Sequence, residues 1–442
     1  MERQKLAPGV HLTTLPADKF NRCRISVHLR FPAVRSTATN TAVLPLVLER
    51  GYAACPDVTA LTRRLAELYG ADFGVDLTSA GADRVLTADL CGIKDCFALN
   101  GENLTAAYAD IVLGALFDPY LVDGAFDPEA VRIEKETLGR RLQAEYNNKR
   151  LYCVRQARRK FYGRSPAGIE LDGYADELPA VTPQTLRTEY DRILAAANID
   201  VMVQGTDPRP VAERVLAFVS RLRRAPQPFA PALAMPRAEA PARYEERIPG
   251  VTQAKLCMLF TTGDPTVQPG IHLLRMAMGV FGGSPTSRLF RNVREKQSLC
   301  YYCGAAAQRA NGVMMVDSGV EPGGEARAEA AILREWEALK NAPVTEEELE
   351  ECRLGLLSGM ESLGDTLSGL ETWYYGQICR GEPLQTPQEA MEQVRAVTAG
   401  QVQALLRRYS HSLSYVVTSD GTGLSDSGST GPAAEEDNDE QA

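Results

Sequence analysis

The sequence predicts an α+β fold of two homologous domains, each an antiparallel sheet packed against helices, joined by a proline-rich linker. Three observations carry that expectation. The chain falls into two blocks of roughly 200 residues whose ends resemble each other. A segment with five prolines and no periodic pattern divides them. Strand-like and helix-like runs do not strictly alternate, which disfavours a doubly wound sheet.

At 442 residues the chain exceeds one ordinary core. Its 44% hydrophobic and 24% charged content is that of a globular protein. No apolar run reaches the roughly 18 residues of a membrane span, and "MERQKLAPGVHLTTLP" lacks the pattern of a signal peptide. The expectation is a cytoplasmic protein without a membrane partner. Net charge is −9, but six acids and no bases follow Asp420. The remainder carries −3, so no general basic surface invites nucleic acid. Ten cysteines in such a chain read as reduced rather than paired.

Within the first domain, 1–222, the run "CRISVHLRF" alternates as a strand, and "LPLVLERG" (Leu44 to Gly51) ends a helix at glycine with charge in its last turn. "FDPEAVRIEKETLGRRLQAEY" (Phe126 to Tyr146) opens with a cap-like residue and runs as a long helix. Near the block's end Thr182 is a plausible N-cap before the strand "IDVMVQG". The linker takes 223–243.

The second domain, 244–420, repeats the order. "AKLCMLFTTG" matches the early strand, "VTEEELEECRLGLLSGMESL" (Val344 to Leu363) the long helix, and Thr398 caps a helix before "LSYVVTSDG". Between them, "GGSPTS" reads as a loop. "SRLFRNVREKQSL" reads as a helix capped by Ser287, with Leu289, Phe290 and Val293 as its apolar stripe. "CYYCGAAA" and "GVMMVDSG" form a hairpin around "RANG", where Asn311-Gly312 suits a tight turn. The tail, 421–442, is too polar and acidic to build a core.

Several candidate motifs dissolve under this reading. "GVFGGSPTS" has neither Walker nor dinucleotide spacing, and no lysine follows where one is needed. Strict alternation along a strand points Cys300 and Cys303 to opposite faces, where they cannot bond. By pattern alone Arg294 is a helix-surface cation and Tyr301 a half-buried strand aromatic.

The ordered stretch "SRLFRNVREKQSLCYY", continued by "QRANGVMM", nevertheless resembles the carboxy-terminal signature of the insulinase, pitrilysin and mitochondrial-processing-peptidase superfamily of zinc peptidases. The duplicated layout and "YGRSPAG" (Tyr162 to Gly168) extend the similarity over about residues 5 to 420. The resemblance implies sheets packed on helices that close around an unfolded peptide. It also implies a role for Arg294 and, seven residues on, Tyr301. A phenol hydroxyl donates to a tetrahedral oxyanion, and a guanidinium forks onto substrate carbonyls or a carboxylate. Tyr302, on the other strand face, is expected to be packed.

Active relatives carry H-x-x-E-H, whose two histidines and a distant glutamate bind zinc while the motif glutamate activates water. Here Leu46, Val47, Leu48, Glu49 and Arg50 occupy the five positions, so both histidines are missing. Glu49 remains, and Glu134 falls near the third-ligand position, with Glu136 beside it. The four histidines, His11, His28, His272 and His411, contain no neighbouring pair, and only Cys55 lies near the motif. A cation about 4 Å from a dication is repelled by several kcal/mol, so Arg50 argues against zinc. Its guanidinium is expected to fill the vacated space and pair with Glu49 or Glu134.

The chain is therefore expected to bind no metal and to be inactive alone. The leading functional expectation is a non-catalytic subunit of a heterodimeric zinc peptidase. Its paralogous partner would carry H-x-x-E-H and the zinc, and its substrate would be an unfolded peptide. The alternative is a peptide-binding or scaffold protein of the degenerate Gram-positive type, a group associated with modification of elongation factor P.

Overall fold

The computed structural model describes residues 1–228, 240–264, 266–308 and 312–422. The middle of the proline-rich linker, nearly all of the acidic tail and Asn311 lie outside the described residues. In the first block come β1 (Glu2–Ala7), β2 (Val10–Leu15), β3 (Arg22–Pro32), α1 (Ala38–Leu48), α2 (Val58–Glu67), β4 (Asp72–Ala80) and β5 (Asp83–Ile93). Then follow α3 (Leu104–Phe117), a small hairpin of β6 (Leu121–Val122) and β7 (Ala125–Phe126), α4 (Pro128–Asn147), α5 (Lys149–Tyr162), α6 (Pro183–Ala196), β8 (Asn198–Gln204) and α7 (Arg209–Val219). The second block opens with β9 (Ala242–Ile248), β10 (Ala254–Thr261) and α8 (Ile271–Met278). Two π-helical segments, Gly279–Gly283 and Leu289–Lys296, lead to β11 (Cys300–Gln308) and β12 (Val313–Val320). It closes with α9 (Glu325–Asn341), α10 (Glu346–Glu361), α11 (Leu367–Arg380), α12 (Pro387–Arg395), α13 (Ala399–Leu406) and β13 (Ser410–Ser419).

The duplication is visible in the sheets. The first has order β1-β2-β8-β3-β5-β4 and the second, read the same way, β9-β13-β10-β12-β11. Each is antiparallel apart from one parallel pair, β2 with β8 and β9 with β13. The α+β expectation of two antiparallel sheets packed against helices is thus met, with one parallel pair in each. The last strand of each block returns through a helix, and such a crossover permits parallel pairing.

Local chemistry explains the elements. Along β3, Cys23, Ile25, Val27, Leu29 and Phe31 are buried on one face while Arg24, Ser26, His28 and Arg30 occupy the other. Helix α1 is apolar almost all round because it lies within the first core, against α4 and α6. Thr182 and Thr398 each close a capping box, and Asp127 caps α4 with Pro128 in its first turn. Ser287 does not cap the helix expected after it; its hydroxyl donates to the Ser284 carbonyl at 2.6 Å. In the second core Trp336, 1% exposed, packs its ring 4.6 Å from Phe260 and 5.0 Å from Phe281.

Each block also lends a helix to the other. Helix α5 belongs to the first block by sequence but lies on the second sheet, with Cys153 and Ala157 packed against Cys257, Leu259 and Tyr415. Tyr152 donates its hydroxyl to Glu246 at 2.8 Å. Helix α11 of the second block lies on the polar face of the first sheet. There Gln204 donates to the Leu367 carbonyl and Arg30 to that of Cys379. Among the described residues, no helix is long and apolar enough to cross a membrane.

Candidate functional site

Leu46, Glu49, Arg50 and Glu134 line one cavity of about 330 Å³, with Leu61, Leu65 and Phe73 in its wall. Helix α1 ends at Leu48, placing Glu49 and Arg50 just past its last turn. The chain then turns at Gly51, where a Cβ would stand 2.3 Å from the Cys55 carbonyl oxygen. Helix α4 presents Glu134 from the opposite side, and Arg50 Nη1 donates to Glu134 Oε1 at 2.7 Å. Glu49 makes no side-chain hydrogen bond or ion pair among the described residues. Burial and the charges of Glu134 and Asp76 raise its carboxyl above the ordinary value. Glu136 takes no part, since Arg132 pairs with it at 2.7 Å on the exposed side of α4.

This donor set does not fit zinc. An apolar leucine and a guanidinium stand where two neutral imidazoles would be required, and Glu134 already accepts from the guanidinium. Among the described residues, no group of three His, Cys, Asp or Glu side chains is placed to hold a metal ion. The histidines are scattered, with His11 on β2, His28 on β3, His272 on α8 and His411 on β13.

Arg294 and Tyr301 do not reach that cavity. Arg294 lies in the helical segment before β11 and Tyr301 near the start of β11, on an unusual backbone. The helix read from "SRLFRNVREKQSL" is wound as a π-helix over Leu289–Lys296. Its wider turn suits an i, i+4 stack, and the exposed Arg294 guanidinium lies 4.5 Å from the Phe290 ring centre. Ser298 then adopts the left-handed region at φ 49°. Tyr301 itself is the extra residue of a β-bulge: Cys300 pairs with Val320 and Tyr302 with Gly319. Its side chain is exposed and makes no hydrogen bond among the described residues. Three backbone irregularities within a dozen residues aim these two side chains outward. Tyr302 points the other way, lying so closely on Gly319 that a Cβ there would meet its ring at 2.3 Å. It donates to Asp317 at 3.2 Å.

The bulge overturns one expectation. An extra residue between them breaks strict alternation, so Cys300 and Cys303 share the inner face and are both buried. A hydrogen bond from Cys303 holds the Cys300 thiol down at about 7 despite burial, while the same contact and burial push Cys303 up. Both thiols are free.

A larger cavity of about 900 Å³ lies between the blocks, bounded by β4 and β11, the strands that end the two sheets, and by α8 and α11. Its floor is a buried polar network that sequence reading did not identify. Glu371 of α11 accepts from Arg24 at 2.8 Å and from Gln204 at 3.2 Å, and its Oε1 lies 3.3 Å from His28 Nε2. Burial alone would raise the Glu371 carboxyl, but His28 and Arg24 hold it down at about 2. Burial lifts Asp89 to about 6, although Arg24 stands 2.9 Å away. His28 stacks on Tyr375 with ring centres 3.8 Å apart. The available signal was the polar face of β3, but nothing in one sequence says which helix covers it.

Comparisons with known proteins follow this geometry. Residues 180–356 match the family described as "Peptidase M16 inactive domain". A curated relative from Bacillus subtilis (strain 168), "Probable inactive metalloprotease YmfF", is 26% identical over 370 residues, covering 84% of this chain and 86% of the relative. A conserved protein from Enterococcus faecalis V583 superposes with a TM-score of 0.87 at 23% identity, over 95% of this chain and 98% of that one. A peptidase M16 inactive domain from Pseudomonas fluorescens gives 0.75 at 19% identity, again over 95% and 98%.

Proposed function

We propose, from the premise that this chain is a catalytically degenerate, non-catalytic member of the M16 peptidase family, that it is the supporting subunit of a two-chain zinc peptidase. Its partner is a paralogue that carries H-x-x-E-H and the zinc. Arg294 and Tyr301 complete that partner's site: Tyr301 donates a hydrogen bond to the oxyanion, and Arg294 holds the substrate backbone.

The observation that carries this reading is the state of Tyr301. A tyrosine side chain that is 57% exposed, without a hydrogen-bond partner among the described residues, sits on a bulge that aims it away from its own core. Beside Glu134 its own chain offers the Arg50 guanidinium rather than two imidazoles, which supports a partner's zinc as the one Tyr301 serves.

The test is isolation of the native protein from its own cells and identification of what co-purifies. A stoichiometric subunit with H-x-x-E-H is expected, and mixing the two chains should generate peptide hydrolysis that neither shows alone. Tyr301→Phe should lower the turnover of the mixture about 100- to 1,000-fold. A solitary chain, or a pair of identical chains without hydrolytic activity, would favour a peptide-binding scaffold instead.

A further inference from the structure

The charges around the large cavity are unevenly partnered. Arg24 is held by Glu371 and Asp89, Arg30 by Asp83, and Arg380 by Glu382. Two charges of opposite sign are left over on opposing walls. Arg275 comes from α8 in the second block and Asp76 from β4 in the first. Neither side chain makes an ion pair or hydrogen bond among the described residues. The Arg275 guanidinium lies over the ring of Trp373, 5.8 Å from its centre.

Arg275 is exposed to solvent and lines the cavity. It also borders a smaller adjoining cavity of about 180 Å³ that Trp373 shares. Burial lowers its guanidinium below the ordinary value with no carboxylate to offset the shift. A guanidinium with no carboxylate partner among the described residues is free to fork onto an anion that a ligand supplies. The second-block lining beside Arg275 includes the apolar Leu274, Met278 and Leu356, and the two flanking edge strands are β4 and β11. The site thus offers a fork for a carboxylate, an apolar trough, and an acid at the far side.

We propose that this cavity binds a linear peptide by its free carboxyl terminus, with the terminal carboxylate on Arg275 and a basic side chain on Asp76. The proposal deepens the peptidase-like reading and rests on it for the class of ligand. It differs in placing a terminus-specific site inside this chain, apart from Arg294 and Tyr301. An internal segment without Asp or Glu has no carboxylate to offer Arg275, so among acid-free sequences the site selects the carboxyl end.

The test uses the isolated full chain, without partner or zinc, so its result is separate from that of any hydrolysis assay. The probe is a fluorescein-labelled octapeptide of alanine and leucine with one lysine, made as free acid and as amide. Binding is read by fluorescence anisotropy. The free acid should bind about tenfold or more tightly than the amide, with the difference shrinking at high salt. Arg275→Gln should abolish the preference, and Arg275→Lys should keep part of it, which separates lost charge from lost folding. Replacing the probe's lysine by norleucine should weaken binding to the wild type but not to Asp76→Asn. Equal binding of acid and amide, no binding of either, or an acid preference that survives Arg275→Gln would overturn the proposal.

Discussion

Arg50 donates from Nη1 to Glu134 Oε1 at 2.7 Å, and this ion pair ties the residues just past the end of α1 to the middle of α4. Its side chains are 28% and 12% exposed, so it is neither a solvated surface pair nor a fully buried one. Replacing Leu46 and Arg50 together by histidine restores two imidazoles beside Glu134 and removes the competing cation. The double variant should bind about one equivalent of zinc in a competition titration with a chromophoric chelator. Each single variant should bind far more weakly, and failure of the double variant would show that α1 and α4 are no longer spaced for a metal.

Removing the cation without supplying ligands has a pH signature. In Arg50→Met, Glu49 and Glu134 face each other with no positive charge between them. A carboxyl raised above its unfolded value, as Glu49 already is, contributes stability below that value and loses it as pH rises through the folded value. The variant should therefore lose most stability near neutral pH and recover toward about pH 4. Thermal denaturation across that range checks it, and a deficit independent of pH would count against a charge origin.

Glu371 ties the second block to the first. With its side chain 6% exposed and Arg24 and His28 both in contact, Glu371→Gln removes a buried carboxylate from its partners and should cost about 3–5 kcal/mol. The wild type should respond to pH in two opposed ways. Asp89, raised to about 6, contributes stability that fades as pH rises from about 4 toward 6. Glu371, lowered to about 2, contributes stability present above its unfolded value and lost as pH falls toward 2. Denaturant titrations should find the acid limb below about pH 4 flattened in Glu371→Gln.

Tyr301→Phe should leave the folded chain unchanged. The hydroxyl contacts nothing among the described residues, so the melting temperature of the isolated chain should shift by less than about 0.5 kcal/mol equivalent. Arg294→Ala should behave likewise, apart from losing its stack on Phe290. Marked unfolding in either variant would mean that these side chains support their own fold.

The Cys300–Cys303 contact gives a fourth handle. Cys303→Ala removes the donor that lowers the Cys300 thiol to about 7, so the thiolate absorbance assigned to Cys300 should appear at higher pH. Titration of the difference spectrum against the wild type reads this directly. An unchanged titration would place the cause of the depression elsewhere.

Much of the architecture was legible because it is written in short-range patterns. The alternation in "CRISVHLRF" and "AKLCMLFTTG", the threonine caps at 182 and 398 and the paired long helices all depend on residues a few positions apart. The missing histidines were equally plain, since a ligand that is absent from the sequence is absent from the site. What could not be read was winding and pairing. The π-helix before β11 and the bulge at Tyr301 leave no mark in an apolar stripe, and the bulge reversed the expected placement of Cys300 and Cys303.

The sequence by itself determined the two-block organisation, the absence of histidine from positions 46–50 and the presence of Arg294 and Tyr301. Tertiary structure decided which partner Arg50 would take, which helix would cover each sheet, and that Arg275 and Asp76 would line one cavity, neither with a counter-ion among the described residues. The physical reason is range. Propensity and capping act over one or two turns of chain. The crossing of α5 and α11 between the blocks, by contrast, brings together residues separated by up to some 350 positions, such as Arg30 and the Cys379 carbonyl, and only packing selects those pairs.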